Sequence, residues 1–171
     1  MKHTLSILVE NQPGVLARVA GLFSRRGYNI ESIAVGETED PSISRMTIVV
    51  DGEKVNVEQI TKNVHKLIEV LKVSDLTHDD MVDRELAMIK VTADAGNRAE
   101  ILQIVDIFRA KIVDVSERSV IVEVTGDEGK VNAMVRMLRP FGIKELVRTG
   151  KIAMARGTRP EPVQRGATAT A

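Results

Sequence analysis

Six consecutive residues, Asn11-Gln12-Pro13-Gly14-Val15-Leu16, form a place where a small ligand could be held. If Pro13 sits in the first turn of a helix, that turn presents unpaired backbone amides and a partial positive charge. Those amides suit a carboxylate. Gly14 has no Cβ, so a ligand can approach them closely. Asn11 carries an amide that both donates and accepts, which fits the mixed charges of an α-amino acid. A seat of this kind contributes roughly 0.3–2 kcal/mol for an anion. Read on their own, the same residues also make a capping asparagine and a Pro-Gly turn. A second run, Gly27-Tyr28-Asn29-Ile30-Glu31-Ser32, puts Asn29 at the head of a strand. There it is either a turn residue or a group that reaches into a neighbouring chain. Gly36, further along, suits a bulge or a close approach of backbones.

Other chemistries are missing. With no Cys there is no disulfide framework, thiolate zinc site or cysteine nucleophile. His3, His65 and His78 lie on different elements with no partner at i,i+4, so no metal site is expected. No nucleophile elbow, phosphate-binding loop or dinucleotide-binding glycine pattern occurs. Glu37, Glu39 and Asp40 read as turn solvation. Catalysis by this chain alone is not expected. Lys+Arg and Asp+Glu balance at 24 each, so nothing draws a nucleic acid or an anionic membrane. Four aromatics (Phe23, Tyr28, Phe108, Phe141) are too few for base-stacking platforms. No apolar run reaches the length of a membrane span and the N-terminus enters a strand at once, so a cytoplasmic protein is expected.

The elements that must position these residues follow from periodicity. Leu5, Ile7 and Val9 alternate with polar residues as a strand with one buried face. Val15, Leu16, Val19, Ala20, Leu22 and Phe23 recur at helical spacing, and Gly27 suits a left-handed cap. Strands over Asn29–Gly36 and around Met46–Val50, a helix through Val57–Leu67 and a strand over Val70–Leu76 complete the order βαββαβ. The order then repeats. A strand over Arg84–Thr92 precedes a helix opened by an Asn97–Glu100 capping box. Strands over Lys111–Glu117 and Val120–Thr125, a helix through Val131–Leu138 and a strand over Ile143–Thr149 follow. The expected fold is α+β, two tandem ferredoxin-like βαββαβ sandwiches. The predicted divisions are 1–78, a linker over 79–83, a second domain over 84–156 and a disordered tail over 157–171. In this topology the second strand is a sheet edge, open to pairing with its copy in another chain.

Asn11-Gln12-Pro13-Gly14-Val15-Leu16, the run from Gly21 to Ser32 and Ser44-Arg45-Met46-Thr47 resemble the regulatory small subunit of acetohydroxyacid synthase, also called acetolactate synthase. The resemblance covers about residues 1–80 and continues through Val82–Leu86 and Ile107–Val115. It implies an N-terminal ACT domain that binds an effector and dimerises. The common ACT pattern has Asp where this chain has Asn11, and Asn there is what the small-subunit family carries. The resemblance further implies a non-catalytic subunit that activates the large catalytic subunit and confers feedback inhibition by valine or another branched-chain amino acid. Thiamine diphosphate, magnesium and FAD are then expected on the catalytic partner and no cofactor on this chain. Carried over, Asn11, Gly14, Val15 and Leu16 of one chain face Asn29 and Ile30 of its partner, with the amino acid between them. Gln59 matches a position tied to effector response, and Gly36 joins it as a candidate. The second domain has Ala95-Gly96-Asn97 in place of Pro-Gly, so a structural or docking role is expected there. A free-standing ACT-type amino-acid sensor with another partner is the alternative.

Overall fold

The computed structural model describes residues 1–53 and 56–157. Gly157 apart, the tail expected over 157–171 lies outside them.

The first domain has the expected order: β1 (Lys2–Glu10), α1 (Val15–Arg25), β2 (Ile30–Glu37), β3 (Ile43–Asp51), α2 (Val57–His65) and β4 (Val70–Asp75). The strands form one antiparallel sheet in the order β2-β3-β1-β4, so β2 is indeed an edge. The β1–β3 register runs from Lys2 opposite Asp51 to Glu10 opposite Ile43. Leu5, Ile7, Val9, Met46, Ile48 and Val50 present one buried face to Val15, Val19, Phe23, Ile60 and Val64 of the helices. Fully burying each such aliphatic side chain contributes roughly 1.5–3 kcal/mol.

The second domain repeats the plan with β5 (Met81–Thr92), α3 (Arg98–Ile107), β6 (Lys111–Val115), β7 (Ser119–Gly126), α4 (Glu128–Leu138), β8 (Ile143–Arg148) and β9 (Ile152–Ala155). Its sheet order is β6-β7-β5-β8. Its separate core gathers Ala87, Ile89, Val91, Val122, Met134 and Leu138, among others. The chain is therefore two tandem ferredoxin-like sandwiches.

Several local expectations need correction. Of the linker expected over 79–83, Met81–Asp83 are already strand, because β9 pairs with Met81–Arg84 of β5. No periodic signal predicted β9. Helix α1 begins at Val15 rather than in a turn containing Pro13, since Gly14 is its N-cap with φ 85°. The capping box at Asn97 does not form either. Asp94 Oδ1 takes the N–H groups of Gly96 and Asn97, and Asn97 turns back to accept from the Asp94 amide at 2.8 Å. The C-terminus of α1 is as expected: Gly27 has φ 71°, its amide reaches Ser24 O at 3.0 Å, and the Tyr28 amide reaches Phe23 O at 2.9 Å.

The two domains touch. Lys2 Nζ lies 2.7 Å from Glu128 of α4 and 3.1 Å from Glu31 of β2. On the sheet face away from α1 and α2, Thr4, Ser6, Thr47 and Val49 are each at most 3% exposed although they lie outside the first core. Clefts lined by residues of both domains run along this seam.

Candidate functional site

The corner after β1 is built by two strands and a helix start. The Asn11 amide donates to Ser42 O at 2.8 Å, which fastens the end of β1 to the β2–β3 connection. The Asn11 side chain is not a helix cap. Its Nδ2 donates to Glu37 Oε1 at 3.2 Å and to Pro41 O at 2.9 Å. With both amide hydrogens used inside the chain, its Oδ1 is the group left to accept from a ligand. Glu37, read from sequence as turn solvation, stands beside it. A carboxylate there supplies the negative charge that an α-ammonium group requires.

Past the turn at Pro13 and Gly14, the opening of α1 is bare. Val15 N–H reaches Gln12 O only at 3.4 Å. Among the described residues no acceptor meets the N–H groups of Leu16 and Ala17, and no side chain caps the helix. A Cβ built on Gly14 would meet nothing within 4 Å, so the approach is open. Amides without partners beside an exposed carboxylate are complementary to the two charged ends of a small zwitterion. Val15 is 4% exposed and packs into the core, so it can offer such a ligand only backbone. Leu16, 47% exposed, keeps its side chain at the surface beside the bare amides.

The remaining expected residues are not at this corner. Asn29 is exposed and Ile30 half-buried at the start of β2, opposite Val50. Helix α1, with 11 residues and roughly 16 Å of length, separates them from Gly14. Gln59, exposed on α2, donates through Nε2 to Asn63 Oδ1 at 3.4 Å, and its amide meets the capping Asn56 side chain at 3.1 Å. The helix it opens starts near the end of β3, the Asn29 end of the sheet. Gly36 is not a bulge. It pairs regularly with Arg45, and a Cβ there would meet nothing within 4 Å. The register shift in β2 falls between Ile30 and Ser32 instead. The two groups of expected residues thus stand at opposite ends of β2, an edge of its sheet.

Elsewhere, a cleft of about 350 Å³ at the seam is lined by Lys2, Glu31, Glu85, Glu128, Arg148 and Lys151, a balanced set of charges. A second of about 400 Å³, lined by Ala34, Gly36, Val82, Ile152 and Met154 among others, is mostly apolar. The second is also lined by Glu37, but neither is lined by Asn11 or Gly14. Among the described residues no group of three or more His, Cys, Asp or Glu could hold a metal ion, and no helix is long and apolar enough to cross a membrane.

Comparisons with known proteins agree with this architecture. A family model described as "AHAS small subunit-like ACT domain" matches residues 5–72, and one described as "Small subunit of acetolactate synthase" matches residues 84–157. The chain is 59% identical to a probable acetolactate synthase small subunit of Archaeoglobus fulgidus, covering 93% of this chain and 99% of that one. It is 55% identical to the acetolactate synthase small subunit of Mycobacterium leprae, covering 92% and 93%. Among solved structures, the acetolactate synthase small subunit from Thermotoga maritima matches with TM-score 0.83 and 46% identity, covering 93% of this chain and 99% of that one.

Proposed function

The chain belongs to the acetolactate synthase small-subunit family, and on that premise we propose that it activates the catalytic large subunit and makes it subject to feedback inhibition by valine or another branched-chain amino acid. The chemistry is the large subunit's, with thiamine diphosphate, magnesium and FAD held there, and the complex works in the cytoplasm. In this reading the effector sits between two copies of the chain. Its carboxylate takes the amides at the start of α1 beside Gly14, and its ammonium lies between Asn11 Oδ1 and Glu37. Asn29 and Ile30 of the partner subunit close the seat.

The observation that carries this reading is the split site itself. Among the described residues the amides of Leu16 and Ala17 have no acceptor, and Asn29 stands at the far end of β2, an edge of its sheet. Pairing two β2 strands antiparallel about a two-fold axis sets the start of one against the end of the other. Asn29 of one copy then arrives beside the Asn11–Glu37 corner of its mate, and each dimer has two such seats.

Gly14→Asp tests it. The new carboxylate occupies the approach and repels the effector carboxylate. The left-handed backbone at Gly14 costs about 1–2 kcal/mol for a residue with a Cβ, offset in part by an anion at the helix N-terminus. Holoenzyme rebuilt with this variant should remain activated and lose sensitivity to valine. Mixed dimers carrying Gly14→Asp in one chain and Asn29→Ala in the other should keep one intact seat, because both changes fall in the same seat. Undiminished sensitivity in Gly14→Asp, or a mixed dimer with no working seat or with two, would defeat the reading. A pull-down that recovers no thiamine-diphosphate enzyme would favour a free-standing sensor.

A further inference from the structure

Strand β2 does more than offer an edge. Ile30 and Ile33 both pack against the first core, whereas residues three apart in a regular strand point to opposite faces. The register shift between Ile30 and Ser32 accounts for this, since one extra residue, Glu31, is inserted opposite β3. The bulge leaves Glu31 and Ser32 directed at the second domain. Glu31 Oε2 meets Lys2 Nζ, and the same ammonium is 2.7 Å from Glu128 at the start of α4. Ser32 Oγ accepts the backbone N–H of Lys151 at 2.9 Å. The Ile33 carbonyl lies so close to Gly150 that a Cβ there would come within 2.7 Å of its oxygen. Gly150 also has φ 87°, a conformation that favours glycine.

The loop that meets β2 is firmly seated in its own domain. Thr149 N–H donates to Leu86 O at 3.0 Å, and Leu86 N–H returns to Thr149 Oγ1 at 3.1 Å. Lys151 Nζ is 3.4 Å from Asp83 of β5. A braced loop of the second domain therefore grips Ser32 and Ile33, while Glu31 beside them is tied through Lys2 to Glu128 of α4.

We propose that the bulge at Glu31 is the relay between effector and second domain: occupation of the seat at Asn29–Ile30 shifts Glu31–Ile33, and Lys2, Gly150 and Lys151 pass that shift to the second domain. The relay rests on the effector seat proposed above. A ligand that favours one arrangement of the dimer biases the start of β2, and what the strand is clamped to must follow, because packed contacts switch between arrangements rather than stretch.

The chain has no Cys, so spin labels can be placed cleanly by Lys62→Cys on α2 and Arg136→Cys on α4. Doubly labelled chains, diluted into unlabelled ones within the holoenzyme, report the distance between domains with and without valine. Valine should shift that distance in the unaltered protein. Gly150→Ala should alter it without valine, leave the valine Kd of the small subunit within about threefold, and raise the half-inhibiting valine concentration by about tenfold or more. Ser32→Ala removes one hydrogen bond at no risk to folding and should move inhibition the same way by about threefold. Should Gly150→Ala fail to fold, Ser32→Ala and Lys2→Met decide the matter. Inhibition at wild-type concentrations in variants whose distance has changed would overturn the relay, as would inhibition of the unaltered enzyme with no change in distance. If the unaltered chain binds none of valine, leucine and isoleucine, the seat falls first and the relay with it.

Discussion

Asn11 and Glu37 meet across 26 residues of sequence, and their contact changes what each can do. Asn11 was legible as a polar residue at a suspicious corner. Its pairing with Glu37 was not, because Glu37 sits among Glu39 and Asp40 in a stretch whose composition only says "turn". The fold brings the end of β2 beside the end of β1 through β3, a non-local arrangement that local spacing does not encode. Substituting Glu37→Gln keeps an oxygen to accept from Asn11 and removes the charge. If the effector ammonium lies here, the variant should bind valine more weakly by about 1 kcal/mol, roughly fivefold, as a partly solvated charged contact is lost. Calorimetry in low and high salt checks it. Wild-type affinity should fall as salt rises while that of the variant changes little. Equal affinities would put the ammonium elsewhere.

At the level of elements, the proposed pairing of two copies rests on β2. It is a sheet edge of eight residues, and Val35 near its end is 45% exposed. The two charges on this edge, Glu31 and Glu37, are taken up by Lys2 and Asn11 of the same chain, which leaves the edge open to another strand. Val35→Lys places a cation there at little cost to the monomer, since the side chain is not in the core. The expected outcome is a shift from dimer to monomer in sedimentation, with loss of valine binding but a thermal midpoint within a few degrees of the parent at the same chain concentration. A dimer that survives would mean that some other element joins the copies. The two βαββαβ orders were readable because aliphatic residues alternate cleanly in β1 and β5 and recur at helical spacing in α1 and α4. Strand β9 was not, because four residues after Gly150 carry no usable period and become strand only by pairing with Met81–Arg84. The start of β5 was hidden for the related reason that Met81, Val82 and Asp83 read as linker and are drawn into the strand only by pairing with β9. Glu85 is 7% exposed, and the Arg148 guanidinium compensates its charge. The opening of α1 was misjudged by two residues because Gly14 takes a left-handed conformation that ends the turn at Pro13 and starts the helix after it.

For the whole molecule, the ion pair between Lys2 and Glu128 links the first strand to the last long helix. The hydrogen bond from Lys2 holds the Glu128 carboxyl below its ordinary value of 4.5, against partial desolvation. The Lys2 ammonium is in turn raised above 10.5, first by its hydrogen bond to Glu128 and then by Glu31. A carboxyl depressed on folding contributes stability that is present above its unfolded value and disappears as pH falls through the folded one. A raised ammonium contributes below its unfolded value and is lost as pH climbs through the folded one. The contact between domains is therefore at full strength from about pH 4.5 to about pH 10.5, which brackets physiological pH. With side chains 49% and 39% exposed, solvent screening limits it to about 0.5–1 kcal/mol. Lys2→Met should accordingly lower the thermal midpoint at neutral pH by about 1–4 °C. The difference from the parent should shrink as pH falls below about 4.5 and close once the medium is acid enough to protonate Glu128 in the folded chain as well. Comparing the two proteins at each pH removes the contribution of every carboxyl that Lys2 does not contact, leaving Glu128 and Glu31. A gap that persists undiminished in acid would show that Lys2 holds the domains together by packing of its aliphatic stem rather than by charge.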